Sequence, residues 1–189
     1  PMSTQLQELG IGVMKGYDPA HLDPAPDLVV IGNVCRRDNP EAAAAIERNI
    51  PYCSMPSFVE EHCLPGRHSV VVAGTHGKTT TTSLVAWVLA SAGREPSFLV
   101  GGIPQNFGRS YHIGTGPHFV LEGDEYDTAF FDKGPKFLHY RPQTAVITGI
   151  EFDHADIYRD LAHYKSAFVK LVSIIPADGD LVAHEDAVV

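Results

Sequence analysis

Ser69-Val70-Val71-Val72-Ala73-Gly74-Thr75-His76-Gly77-Lys78-Thr79-Thr80 is the stretch on which the fold of this chain turns. Its opening residues are apolar on both faces, the habit of a strand inside a parallel sheet. Two glycines then bend the chain, and a helix is predicted from about residue 78 to 92, with Gly93 as its C-terminal cap. A buried strand, a glycine turn and a helix form the context of a phosphate-binding loop. The glycines aim backbone N–H groups at phosphate oxygens, and the helix N-terminus adds partial positive charge. Lys78 is placed to reach terminal phosphates, and the Thr79 hydroxyl to meet Mg2+. The commonest spacing puts the first glycine at position 72, where this chain has Val72, so the loop is a shortened variant. Threonines at 79–82 are poor helix formers in a first turn, which favours a task for their hydroxyls.

Around this loop the pattern is α/β. Downstream strands are predicted at 97–100, 118–121, 144–148 and 181–183, with a helix at 162–174. Within the helix after the loop, Leu84, Val85, Val88 and Leu89 form the predicted apolar stripe. Upstream, residues 27–32 are an apolar run ending in glycine. Asn39 caps a helix that Pro40 opens and Pro51 closes. A short helix at 56–63 is stopped by Pro65-Gly66. The expected boundary between the two regions lies at residue 66. The chain ends soon after its last strand and opens on Pro1-Met2-Ser3 without a strand, so both ends are expected to be cut. A small α/β protein with frayed termini is the plain alternative.

Composition narrows the function. A formal net charge of −9 argues against nucleic acid, which demands Lys/Arg on phosphates. It leaves a nucleotide open, because a local nest of N–H groups suffices. No apolar run suggests a membrane span, and no signal peptide is visible. Three cysteines without CxxC spacing read as reduced thiols of a cytoplasmic protein. Ten histidines are present, none paired in metal-binding HExxH or H-x3-H spacing.

Two acidic segments follow predicted strands: Glu122-Gly123-Asp124-Glu125-Tyr126-Asp127 and Asp153-His154-Ala155-Asp156. Ligands gather at the carboxyl ends of parallel strands, so Glu122, His154 and the loop at Gly74 are expected to converge. Mg2+ takes oxygen ligands and keeps waters, which suits Thr79 with Glu122; His154 fits a second metal site. A solvated acidic loop and a hydrogen-bonded structural histidine are the plain alternatives. Asp124, Glu125 and Asp153 are candidates to support the ligands from behind.

Together, Val-Ala-Gly-Thr-His-Gly-Lys-Thr-Thr-Thr (72–81), Leu-Glu-Gly-Asp-Glu-Tyr-Asp (121–127) and Glu-Phe-Asp-His-Ala-Asp (151–156) resemble the motifs of the Mur ligases of peptidoglycan synthesis. The resemblance spans essentially the whole chain. It implies a P-loop-containing, mostly parallel sheet, the central ATP-binding domain at 67–189, preceded by part of a Rossmann-like UDP-binding domain at 1–66. A third domain of the family has no counterpart here. The resemblance implies ATP and Mg2+ as cofactors, with Gly74, Thr75, His76, Gly77, Lys78, Thr79 and Thr80 around the nucleotide. It makes Lys78, Glu122 and His154 catalytic, with metal on Thr79, Glu122 and His154.

The run 122–133, with Pro-Gln-Asn-Phe-Gly (104–108) and His-Tyr-Arg-Pro (139–142), points to the branch that joins UDP-N-acetylmuramate to the murein tripeptide L-Ala-γ-D-Glu-meso-diaminopimelate. The branch that adds L-alanine is the alternative, and an isolated piece is expected to be an inactive nucleotide-binding module. Asn106 is implied at the sugar or lactyl group, with a structural turn as its alternative. No carbamylated lysine is expected, since alignment on His163-Tyr164 puts Phe168 in that position. A P-loop kinase or NTPase fits less well: the loop is shortened and no Walker B strand is recognisable. An oligomer is compatible with the sequence, because cut sheet edges invite pairing.

Overall fold

The structure, a computed structural model, describes residues 6–153, 155, 157–185 and 187. The chain divides into two compact units, one of residues 1–55 with 129–131, the other of residues 56–128 with 132–189.

In the first unit, β1 (Val29–Ile31) and β2 (Tyr52–Ser54) pair in parallel, Val29 opposite Tyr52. Helix α1 (Pro40–Glu47) joins them. Its start follows from side-chain chemistry: the Asn39 carboxamide oxygen accepts from the Glu41 and Ala42 N–H groups at 3.0 and 3.1 Å. Pro40 needs no donor there. The small core collects Leu22, Ala44, Ala45 and Ile50, with Val29 packed against it.

The second unit opens with α2 (Met55–His62) and β3 (His68–Ala73), followed by α3 (Lys78–Ser91), β4 (Ser97–Leu99), β5 (Tyr111–His112) and β6 (His118–Glu122). Strands β7 (Asp127–Ala129) and β8 (Asp132–Pro135) form a separate two-stranded ribbon. Then come β9 (Thr144–Ile147), α4 (Leu161–Ser173) and β10 (Asp180–Ala183). The main sheet has strand order β10-β9-β3-β6-β4-β5. Every neighbouring pair is parallel except β4–β5. This is the α/β, mostly parallel sheet that the sequence predicts.

Strand alternation splits the core into two layers. Val71, Phe119, Leu121 and Ile147 face a layer completed by Phe137, Tyr164, Phe168 and Leu171 of the helical side. Val70, Val120 and Phe98 face the opposite layer with Ala86 of α3. Full burial of a side chain such as Phe168 contributes about 1.5–3 kcal/mol. No helix among the described residues is long and apolar enough to cross a membrane.

The structure adds to or departs from the sequence reading in three places. Half of the predicted stripe of α3 holds: Val85 and Leu89 pack against the core beside the buried Thr82 and Ala86, whereas Leu84 and Val88 are 58% and 57% exposed. The helix is apolar on several sides, so periodicity alone could not choose the face, and small residues let it lie close to the sheet. Next, α2 packs with the second compact unit, where Val59 joins the larger core, so the compact units divide ahead of residue 66. Finally, β2, β5, β7 and β8 are two to four residues long, too short to show a period of two.

Candidate functional site

Parallel pairing puts the carboxyl ends of β3, β6 and β9 side by side. Backbone bonds then tie the segments leaving them together. Gly123 N–H donates to the Val72 carbonyl at 2.7 Å, Thr148 N–H to Ala73 at 3.0 Å, and Thr75 N–H to Gly149 at 2.9 Å. The loop after β3 is thus clamped between the loops after β6 and β9.

Two glycines are required by this geometry. A side chain at Gly74, whose φ is 127°, would run into the Thr148 hydroxyl and meet the Gly149 carbonyl at 2.8 Å. Gly77 is left-handed at φ 78° and caps α3 with no side chain, so no capping side chain accepts from the first N–H groups of the helix. That end of α3 suits an anion. Thr80 and His76 are exposed beside it, with His76 Nε2 3.9 Å from Glu151 Oε2. Thr75 is different: it is buried, and its hydroxyl donates to the Glu151 carbonyl at 2.8 Å. Its side chain anchors the loop instead of facing a ligand.

Lys78 and Thr79 each engage one carboxylate of the acidic segment after β6. Thr79 Oγ1 donates to Glu122 Oε1 at 2.8 Å, and Gly101 N–H donates to Glu122 Oε2 at 2.7 Å. Close packing helps: a side chain at Gly101 would sit 3.1 Å from that carboxylate. A hydroxyl beside an accessible carboxylate is an all-oxygen donor pair, which fits Mg2+ with waters completing its shell. His154 and Asp156 lie outside the described residues. Among the described residues no group of three His, Cys, Asp or Glu side chains gathers as a ready metal cage.

Lys78 turns to Glu125, whose side chain has no exposed surface. The ammonium donates to Glu125 Oε1 at 3.0 Å and stands 2.8 Å from Oε2, outside hydrogen-bonding geometry. It also donates to the Gly74 carbonyl at 2.7 Å and more weakly to Thr75 at 3.4 Å. Behind the pair, Tyr164 of α4 donates to Glu125 Oε1 at 3.0 Å, with its hydroxyl 3.1 Å from Thr75 Oγ1. Tyr158 donates to the Glu125 carbonyl at 2.8 Å. Burial pushes the Glu125 carboxyl above its ordinary value, and the Lys78 ammonium pulls it part of the way back. Burial likewise raises Tyr158, to about 12, and raises Tyr164, so both phenols stay protonated donors.

Asn106 is exposed and lines a cavity of about 480 Å3 with Thr79, Thr80, Ser83, Trp87 and Ile103. The cavity adjoins the N-terminal turns of α3. Asp124 pairs with Lys136 at 2.5 Å. Phe168 is fully buried against Tyr164 and Phe137.

Structure therefore gathers the loop of residues 74–80, Lys78, Thr79 and Glu122 at one sheet edge. Sequence reasoning gave Glu125 only a loose supporting place and missed Tyr164 and Gly101. A faint signal existed, since a glutamate three residues beyond Glu122 can return to the same edge only if the segment bends inward.

Comparison with known proteins comes to the same place. Residues 72–189 match the Mur ligase middle domain, and residues 1–65 match the family described as Mur ligase family, catalytic domain. The chain is 48% identical to a UDP-N-acetylmuramate–L-alanyl-gamma-D-glutamyl-meso-2,6-diaminoheptandioate ligase of Escherichia coli (strain K12), over 98% of this chain and 41% of that protein. It is 40% identical to a UDP-N-acetylmuramate–L-alanine ligase of Methylobacillus flagellatus, over 96% of this chain and 37% of that protein. Its fold superposes on the crystal structure of a UDP-N-acetylmuramate:L-alanyl-gamma-D-glutamyl-meso-diaminopimelate ligase from Neisseria meningitides with a TM-score of 0.92. Identity there is 48%, over 98% of this chain and 60% of that one. The chain spans about two fifths of the length of the curated relatives it matches.

Proposed function

This chain belongs to the Mur ligase family, and from that premise we propose that it is the nucleotide-binding part of an ATP-dependent ligase. The reaction is the joining of UDP-N-acetylmuramate to the tripeptide L-Ala-γ-D-Glu-meso-diaminopimelate. The observation that carries this reading is the pairing of adjacent loop residues with two carboxylates at one sheet edge: Lys78 with Glu125, Thr79 with Glu122. The higher identity to the tripeptide-joining relative, 48% against 40%, favours that substrate over free L-alanine. In this proposal residues 1–66 contribute to UDP binding and residues 67–189 to ATP binding.

In such a ligase the lactyl carboxylate attacks the γ-phosphate of ATP, giving an acyl phosphate and ADP. The amino group of the tripeptide's alanine then attacks the acyl carbon and releases phosphate. Two anions meet in the first step, so neutralising charge is the main task of the site. Lys78 supplies a fixed positive charge at the terminal phosphates, and the first N–H groups of α3 with Gly77 cradle them. Thr79 and Glu122 would hold Mg2+, and His154 would belong to a second metal site; the metal would supply Lewis-acid charge neutralisation when bound. Asn106, on the cavity beside α3, binds the sugar or lactyl group of the acceptor. The site is assigned to a protein working in the cytoplasm, where ATP is available.

The test is turnover by a protein of the relatives' full length carrying this sequence, offered UDP-N-acetylmuramate with either the tripeptide or free L-alanine. Tripeptide-dependent phosphate release, abolished by Lys78→Ala, is expected. Equal or faster release with L-alanine would move the chain to the alanine-adding reaction.

A further inference from the structure

The Lys78 ammonium has three N–H donors, and three acceptors already surround it: Gly74 O at 2.7 Å, Glu125 at 3.0 Å and Thr75 O at 3.4 Å. Its side chain is only 14% exposed. A phosphate oxygen must therefore displace one acceptor, and the long contact to Thr75 is the weakest. Glu125 is the hardest to displace. It is fully buried, and Tyr164 holds Oε1 from α4 while Tyr158 holds the Glu125 backbone. Among the described residues Oε2 accepts no hydrogen bond and has only the Lys78 ammonium to balance it. Removing Lys78 from Glu125 would strand a buried charge, which is more costly than giving up a long carbonyl contact.

We propose that Glu125, braced by Tyr164, is a positioning residue that holds the Lys78 ammonium at a fixed point of the phosphate loop, so that phosphate replaces Thr75 and not Glu125. This rests on the reading of residues 74–80 as a phosphate loop. It has two consequences that pull in opposite directions. The carboxylate offsets part of the lysine charge, so it weakens ground-state attraction for a polyphosphate. It also keeps the ammonium from wandering, which serves the transfer step, where misplaced charge is of little use. A residue that only held the fold together would show no such opposition: its loss would weaken binding and turnover alike.

The same coupling reaches further than the loop. Tyr164 touches both Glu125 and Thr75, and Thr75 also receives the Glu151 N–H at 2.9 Å. The segment after β9 is thereby joined to the lysine through two hydroxyls. Tyr164→Phe keeps the ion pair and removes one brace, so its effect should be in the same direction as Glu125→Gln but smaller.

The experiment measures two things on the 189-residue chain, as wild type, Glu125→Gln and Tyr164→Phe. The first is acylation of each lysine by an amine-reactive acetyl ester, read by peptide mass spectrometry, with Lys133 and Lys170 as exposed internal references. The second is calorimetric affinity for magnesium AMPPNP. In Glu125→Gln, Lys78 should acylate at least about fivefold faster while the reference lysines stay unchanged, because a buried carboxylate no longer holds the amine. AMPPNP should bind about threefold tighter or more, because a nearby negative charge is gone. Tyr164→Phe should raise Lys78 acylation about twofold through loss of one brace. Unchanged Lys78 reactivity in both variants would overturn the proposal, as would a parallel rise at every lysine, which marks loosening of the whole fold. Weaker AMPPNP binding by Glu125→Gln with the references unchanged would also overturn it. Failure of the wild type to bind AMPPNP would refute the phosphate-loop reading itself, and with it the affinity arm, while the acylation pattern would still decide whether Glu125 holds Lys78.

Discussion

Glu122 and Glu125 leave the same strand end three residues apart, yet they differ in almost everything that decides a role. Glu122 is half-exposed, held by a hydroxyl and one N–H, and open to a ligand. Glu125 has no exposed side-chain surface; its carboxylate meets an ammonium and the Tyr164 phenol, and its backbone carbonyl meets Tyr158. Chemically identical side chains thus divide into a metal-ligand candidate and a charge holder, and burial makes the division. The acidic run alone could not show this, because both positions follow the same strand and carry the same group.

The sharpest way to break the contrast is Lys78→Ala. It leaves Glu125 buried without its counter-charge, and breaking such a pair costs about 3–5 kcal/mol. Urea unfolding of the chain should show that loss; a change under about 1 kcal/mol would place Glu125 in an environment far more polar than its burial indicates.

Glu125→Gln should cost less, about 1–3 kcal/mol at neutral pH, because the amide keeps shape and can still meet Tyr164. Its pH dependence carries the sign. Burial raises the folded-state value of Glu125 above its unfolded one. The folded chain therefore binds the extra proton in the window between the two, and stability from this group falls as pH rises through that window. The stability gap between wild type and Glu125→Gln should accordingly favour the wild type more at pH 4.5 than at pH 7. A gap that grows towards neutral pH would mean that the ion pair with Lys78 outweighs desolvation.

Glu122→Ala should leave stability within about 1 kcal/mol. It should instead raise the Mg2+ concentration needed for nucleotide binding by about tenfold, the usual scale for a lost contact in a metal shell. Unaltered Mg2+ dependence would remove Glu122 from the metal. The smallest effect is expected at Leu84→Ala, on the exposed face of α3, within about 0.5 kcal/mol. A loss above about 2 kcal/mol would put Leu84 among the packed residues of the helix.

The loop was legible because its residues do chemistry through the backbone: glycines at 74 and 77, a lysine and a threonine at the helix start, a buried strand before them. The long parallel strands were legible for the same reason of unbroken apolar runs. The short strands were not, and the face of α3 was only half so: Val85 and Leu89 pack inward with Thr82 and Ala86, while Leu84 and Val88 stay out. Burial of Glu125 depends on Tyr158 and Tyr164, contributed from 33 and 39 residues further along the chain. Only the folded sheet brings them together, so no local pattern could announce it.

The proposed ligase reaction depends on residues 74–80 binding the polyphosphate of a nucleotide, with Lys78 at its terminal end. Calorimetric titration of the chain with a non-hydrolysable ATP analogue, with and without Mg2+, tests this most directly in wild type and Lys78→Ala. Magnesium-dependent binding by the wild type, lost in the variant, is the expected result. Equal binding by the two proteins would contradict it.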